Sequence, residues 1–213
     1  MSGAVGTGLS EQHTARAPMP VPSSADAALW RADPHKVLMG FFISSESFFF
    51  VSLIVTYITF HGSTGPQAKD VLDVPLTGLF SIALFASSGT LYLAERGLHR
   101  RNGAQLRLWL LVTIALGAIF IAGQAYEYHH LIDEGVTISS GLFGTTFFTL
   151  TGFHGLHVII GLIALSIIAV LTFKGDFDRG NEMPLTTAGL YWHFVDAVWV
   201  VVFSVVYLWT LVS

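Results

Sequence analysis

Four groups of residues in this sequence have types and spacings that could do chemistry. The first is Glu46, within Ser44-Ser45-Glu46-Ser47, and it is the only charged residue between Lys36 and Lys69. A lone carboxyl in so apolar a stretch can carry a proton, meet a lipid, or sit neutral in a hydrogen bond to a neighbouring helix. The second group is Gly152-Phe153-His154-Gly155-Leu156-His157. Histidines three apart share a helix face, so His154 and His157 could ligate haem or copper, or hydrogen-bond between helices. A metal site usually needs further ligands, and nothing nearby in sequence completes one. The third is Trp192-His193-Phe194-Val195-Asp196-Ala197-Val198-Trp199, where His193 and Asp196 lie within reach at i,i+3. A structural pair is the favoured reading, each charge offsetting the other's burial cost; a proton relay would need a longer chain of groups. The fourth is Gln124-Ala125-Tyr126-Glu127-Tyr128-His129-His130. It is expected at a solvated, hydrogen-bonded helix end. Adjacent His129 and His130 point about 100° apart on a helix, which makes them a poor joint metal site.

The elements that must position these groups follow from composition. Of 213 residues, 53% are hydrophobic and 11% charged, with mean hydropathy +0.64. Soluble domains carry about 25% charged residues, so the chain is read as a membrane protein. Charge-free stretches predict an all-α polytopic bundle of five transmembrane helices, at about 37–60, 74–97, 106–130, 141–173 and 186–212. Open strands are excluded because lipid offers no partner for edge amides. Residues 1–36, with Pro18, Pro20, Pro22 and Pro34, read as a flexible cytoplasmic tail without the apolar core of a secretory signal; residues 37–213 form the transmembrane domain. Nine of the ten Lys and Arg residues, all but Lys69, fall on one side of this five-helix arrangement. The positive-inside rule then puts the N-terminus in the cytoplasm and the C-terminus outside.

Within this frame Glu46 lies about 15 Å of rise into the first helix, near the bilayer midplane, where desolvation disfavours the charged form. Insertion of each ionisable group at such depth costs about 2.5–3.5 kcal/mol unless it is paired or neutralised. Gly155 and Gly161 are read as places where another helix backbone approaches closely. The net charge of −4 carries no basic excess for nucleic acid, and the absence of cysteine removes disulfides, thiolate metal sites and iron–sulfur clusters. There is no glycine-rich phosphate loop after a strand. On the residues alone two classes are open: an independent haem-binding bundle using His154, His157 or His193, and a transporter with Glu46 as a proton-coupled site. The second would predict internal repeats and broken helices, and the sequence has no convincing repeat.

The same clusters, taken in order, resemble subunit III of the haem–copper terminal oxidases, most closely the cytochrome c oxidase group. The matching motifs are Phe42-Ile43-Ser44-Ser45-Glu46, Gly123-Gln124-Ala125-Tyr126-Glu127-Tyr128, Gly152-Phe153-His154-Gly155-Leu156-His157-Val158 and Tyr191-Trp192-His193-Phe194-Val195-Asp196-Ala197-Val198-Trp199. The resemblance covers about residues 37–213. It implies a non-catalytic core subunit in the plasma membrane, with no catalytic residue, metal or redox cofactor of its own. Haem and copper would lie in partner chains, and the missing cysteines mean that this chain cannot hold the dinuclear copper centre. Subunit I would be the direct packing partner, with subunit II and other oxidase subunits beyond it. The resemblance further implies support of proton uptake, protection of the complex during turnover and bound structural phospholipid. Glu46, Glu127, His154, His157, His193 and Asp196 match buried polar positions, Glu46 being the membrane-buried carboxylate. The chain lacks the two helices that precede Glu46 in seven-helix members, and those helices form one wall of the lipid cleft there. Quinol oxidases share this subunit. The Ser45-Glu46 and Tyr-Trp-His-Phe-Val-Asp spellings look more like the cytochrome c group.

Overall fold

A computed structural model of the chain describes residues 34–60, 72–175 and 183–209. These contain α1 (Pro34–Phe60), α2 (Val74–His99), α3 (Gly103–Asp133), α4 (Leu142–Phe173) and α5 (Met183–Phe203), the last continued by a π-helical turn, Ser204–Leu208. All five are long and apolar enough to cross a membrane. The expected spans are therefore observed, with ends moved by a few residues. Most of the expected tail, residues 1–33, lies outside the described residues, as do Lys69, Arg179 and the last four residues.

Helix ends form where the local chemistry satisfies the unpaired backbone groups. The Asp73 carboxylate accepts from the Leu76 amide at 3.0 Å, ahead of Pro75 in the first turn of α2. Asn102 does the same for the Gln105 amide of α3 at 3.1 Å. Between them the chain reverses through Arg101 at φ 54, a left-handed conformation unusual outside glycine. Gly97 permits this tight corner: a Cβ there would lie 2.9 Å from the Leu106 amide nitrogen.

The hairpin of α2 and α3 is the most extensive helix pair. α5 packs on α2, α4 and α1, while α4 packs on α3, α5 and α1. The helices are apolar around most of their circumference, so amphipathicity does not sort their faces. Small and hydroxyl residues do. The inward stripe of α2 is Thr77, Ser81, Leu84, Ser87, Leu91, Ala94 and Leu98. The outward face of α4 is Ile159, Ile160, Ile163, Ile167 and Val170, which suits lipid. α1 is peripheral, burying only Phe50 and Tyr57. The charged rim follows from the alternation of helices. Lys36, Arg96, Arg100, Arg101, Arg107 and Lys174 all lie where α1 and α3 begin and α2 and α4 finish. There the Arg107 guanidinium lies 5.4 Å over the Phe173 ring, tying α3 to α4.

Glycines on α3 and α4 shape the centre. A Cβ on Gly117 or Gly161 would come within 3 Å of the Trp192 indole, so both helices close around that ring. Gly155 similarly admits the Gln124 amide. The expected close approach at Gly155 and Gly161 is thus made by side chains, not by a second backbone. Large planar groups on neighbouring helices occupy the space a Cβ would fill.

Candidate functional site

The polar residues singled out in the sequence form three interior clusters. The first joins α1 to α4. Glu46 Oε2 lies 3.1 Å from His157 Nε2, and His157 Nδ1 lies 2.7 Å from the Phe153 carbonyl oxygen one turn earlier. The Tyr191 hydroxyl of α5 donates to the His157 carbonyl at 3.1 Å, so three helices meet at this residue. The Phe50 ring meets the imidazole edge-on at 5.0 Å. The pair stands at one end of an apolar groove of about 830 Å³ between α1, α4 and α5, whose lining includes His35, Phe42, Ile160, Met183 and Tyr191.

The second cluster surrounds Glu127. The Thr77 hydroxyl of α2 donates to Oε1 at 2.8 Å, and the Tyr207 hydroxyl donates to Oε2 at 2.9 Å. The wider π-helical turn carries Val206 and Tyr207 inward at this level. Glu127 is 5% exposed, which corrects the expectation of a solvated helix end. The correction has a geometric reason: Glu127 faces the bundle, whereas Tyr126 is exposed. The solvated reading holds for His129 and His130, which pair along the helix with Asp133 at 2.9 Å and Glu134 at 3.4 Å. Beside Glu127, Gln124 donates to the Thr151 carbonyl at 2.8 Å, and the Tyr128 and Thr151 hydroxyls are 2.7 Å apart.

The third cluster joins α5 to α2. Ser88 donates to Asp196 Oδ2, and His193 Nδ1 lies 3.1 Å from Ser88 Oγ. Because the single hydroxyl proton of Ser88 goes to Asp196, His193 donates to Ser88. The expected His193–Asp196 pair is therefore bridged by a serine on another helix. Its sequence signal was Ser87-Ser88 on α2, which has no meaning until α2 is placed beside α5. Ser87 accepts from the Trp192 indole and Ser81 from that of Trp199, each at 2.9 Å. A ladder of serines on α2 thus satisfies both tryptophans and one oxygen of the acid of α5, while Asp196 Oδ1 is buried without a partner.

His154 departs from the other sites. It is fully buried, neither ring nitrogen has a hydrogen-bond partner, and the imidazole stacks on Trp199 at 4.6 Å between Phe50 and Phe120. The expected interhelical hydrogen bond is made by His157, not by His154. One turn of helix separates a ring that reaches α1 from one enclosed by aromatics. Among the described residues, no three or more His, Cys, Asp or Glu side chains are grouped so as to hold a metal ion.

These features define a polytopic helical membrane protein whose buried acids are tied to neighbouring helices. The chain belongs to the cytochrome c oxidase subunit III family, whose model matches residues 32–211. It is 37% identical over 183 residues to the probable cytochrome c oxidase subunit 3 of Nocardia farcinica, covering 82% of this chain and 88% of that one. It is 39% identical to the cytochrome c oxidase subunit 3 of a Synechocystis species, covering 78% and 72%. The cytochrome bo(3) ubiquinol oxidase subunit 3 of Pseudomonas aeruginosa is 37% identical, with 78% and 81% covered. Membership of this family makes the chain a multi-pass membrane subunit of a multi-subunit oxidase complex.

Proposed function

We propose that this chain is the non-catalytic subunit III of a proton-pumping cytochrome c oxidase, packed against subunit I in the plasma membrane with its N-terminus in the cytoplasm. Oxygen reduction would occur on the haem and copper of partner chains. This chain would stabilise the complex, hold phospholipid and sustain proton uptake. The observation carrying this reading is the match to the family over residues 32–211. The apolar α1–α4–α5 groove, ending at Glu46 and His157, supports the lipid and proton roles, because it joins an alkyl-lined surface to a protonatable pair. Glu127, His154, His193 and Asp196 act as interior supports that fix α2, α3, α4 and α5.

A quinol oxidase is the second reading, favoured by the Pseudomonas relative, whose identity equals that of the Nocardia relative. One experiment separates the two. The tagged chain is purified from native membranes in mild detergent, its co-purifying chains are identified, and oxygen uptake is measured with reduced cytochrome c and with a quinol. Haem-bearing partners and activity with cytochrome c are expected. Activity with quinol alone selects the second reading. Haem retained by the isolated chain would point to an independent haem bundle, and a solitary colourless protein to a transporter.

A further inference from the structure

The contact between Glu46 and His157 fixes how many protons the pair holds. The Phe153 carbonyl oxygen can only accept, so His157 Nδ1, 2.7 Å away, carries a hydrogen and donates it. In a neutral imidazole Nε2 is then a bare acceptor. Glu46 Oε2 lies 3.1 Å from that nitrogen. A carboxylate oxygen facing a bare nitrogen would set two lone pairs against each other. The contact is attractive only with a proton between the atoms, either on Oε2 as a carboxylic acid or on Nε2 as an imidazolium beside a carboxylate. Both forms contain one proton in that position and have zero net charge. Neutrality suits a pair near the middle of a spanning helix.

We propose that Glu46 and His157 form a one-proton site, entered along the groove between α1, α4 and α5, whose two side chains part when the proton leaves. This rests on the reading of the pair as support for proton uptake and specifies the ligand and its stoichiometry. Release transfers one proton to water in the groove and leaves a carboxylate beside a neutral imidazole, a net change from 0 to −1. The two acceptors then repel, and the groove of about 830 Å³ gives the Glu46 side chain room to swing away. The other titratable groups are few. From α4 only His154 is close, one turn away and enclosed by Trp199, Phe50 and Phe120. From α5 there is Tyr191, whose hydroxyl proton is given to the His157 carbonyl. On α1 itself His35 stands at the far end of the groove, and α2 and α3 contribute no residue to its lining.

The test uses the intact purified complex and infrared difference spectra stepped through the pH range in which it is stable, with and without ¹⁵N-histidine. The wild type should show one transition in which a carboxyl band and an isotope-sensitive imidazole band change together. Both should vanish in Glu46→Gln, and the carboxyl band should move in His157→Asn. Separate transitions for the two groups, no transition, or a Glu46 band unchanged in His157→Asn would each overturn the proposal. Where one variant fails to assemble, the other still assigns the bands, because the His129–Asp133 and His130–Glu134 pairs respond to neither substitution. The readout needs no turnover. Failure of the oxidase reading is seen separately, as the absence of haem-bearing partners from the same preparation.

Discussion

Glu127 receives hydrogen bonds from Thr77 and Tyr207 and is 5% exposed, whereas Glu46 meets one imidazole and faces a large open groove. Both are carboxyls on spanning helices. The helices around Glu127 are the tightly packed α2–α3 hairpin and the end of α5; α1, which carries Glu46, buries only two residues. The first acid is built into a joint between helices. The second lies on an open seam between α1, α4 and α5. What separates the two acids in the structure is the packing around them: one is enclosed by donors from neighbouring helices, the other opens on a groove.

Four changes sharpen or break this contrast. The largest effect is expected from Trp192→Ala, which empties the space that Gly117 and Gly161 leave for the indole and removes the donor to Ser87, whose hydroxyl keeps only its bond to the Leu84 carbonyl. A loss of about 3–5 kcal/mol is expected, read as a large fall in the thermal denaturation temperature of the purified complex. Glu127→Ala removes the acceptor for two hydroxyl donors and should cost about 1–3 kcal/mol; a variant as stable as wild type would show that the sealed acid is not a joint. Ser88→Ala cuts the link between His193 and Asp196 and should cost about 1–2 kcal/mol. Its effect should be smaller when Asp196→Ala is already present, and strict additivity in that double-mutant cycle would dissolve the bridge. Glu46→Gln should change stability least, by under about 1 kcal/mol, while shortening the active lifetime of the oxidase or slowing proton uptake. Unchanged lifetime and uptake in a normally assembled complex would make the two acids alike after all.

The structure also bears on which features could be read in advance. Five spans followed from charge-free stretches, because lipid forces each spanning segment to be a helix long enough to cross it. Glu46, His157, His193 and Asp196 stood out because an ionisable group in an apolar run demands an explanation. The local reading of Glu127, unlike the resemblance that counted it among buried polar positions, went wrong because its neighbours Tyr126, His129 and His130 are polar, and that context suggests solvent whichever way one residue of the turn faces. The Ser81, Ser87 and Ser88 ladder escaped attention because serine is common in membrane helices and its partners are more than a hundred residues away.

The sequence by itself determined the class, the number of spans and, Glu127 apart, the buried ionisable residues it singled out, all consequences of the cost of placing charge and open backbone in hydrocarbon. The tertiary structure decided the pairings: His157 with Glu46 but His154 with aromatic rings, Asp196 through Ser88 to His193, Glu127 between Thr77 and Tyr207. A linear pattern records which residues share a helix face. It does not record which helix that face meets, and a hydrogen bond depends on positions to a few tenths of an ångström that only the assembled bundle sets.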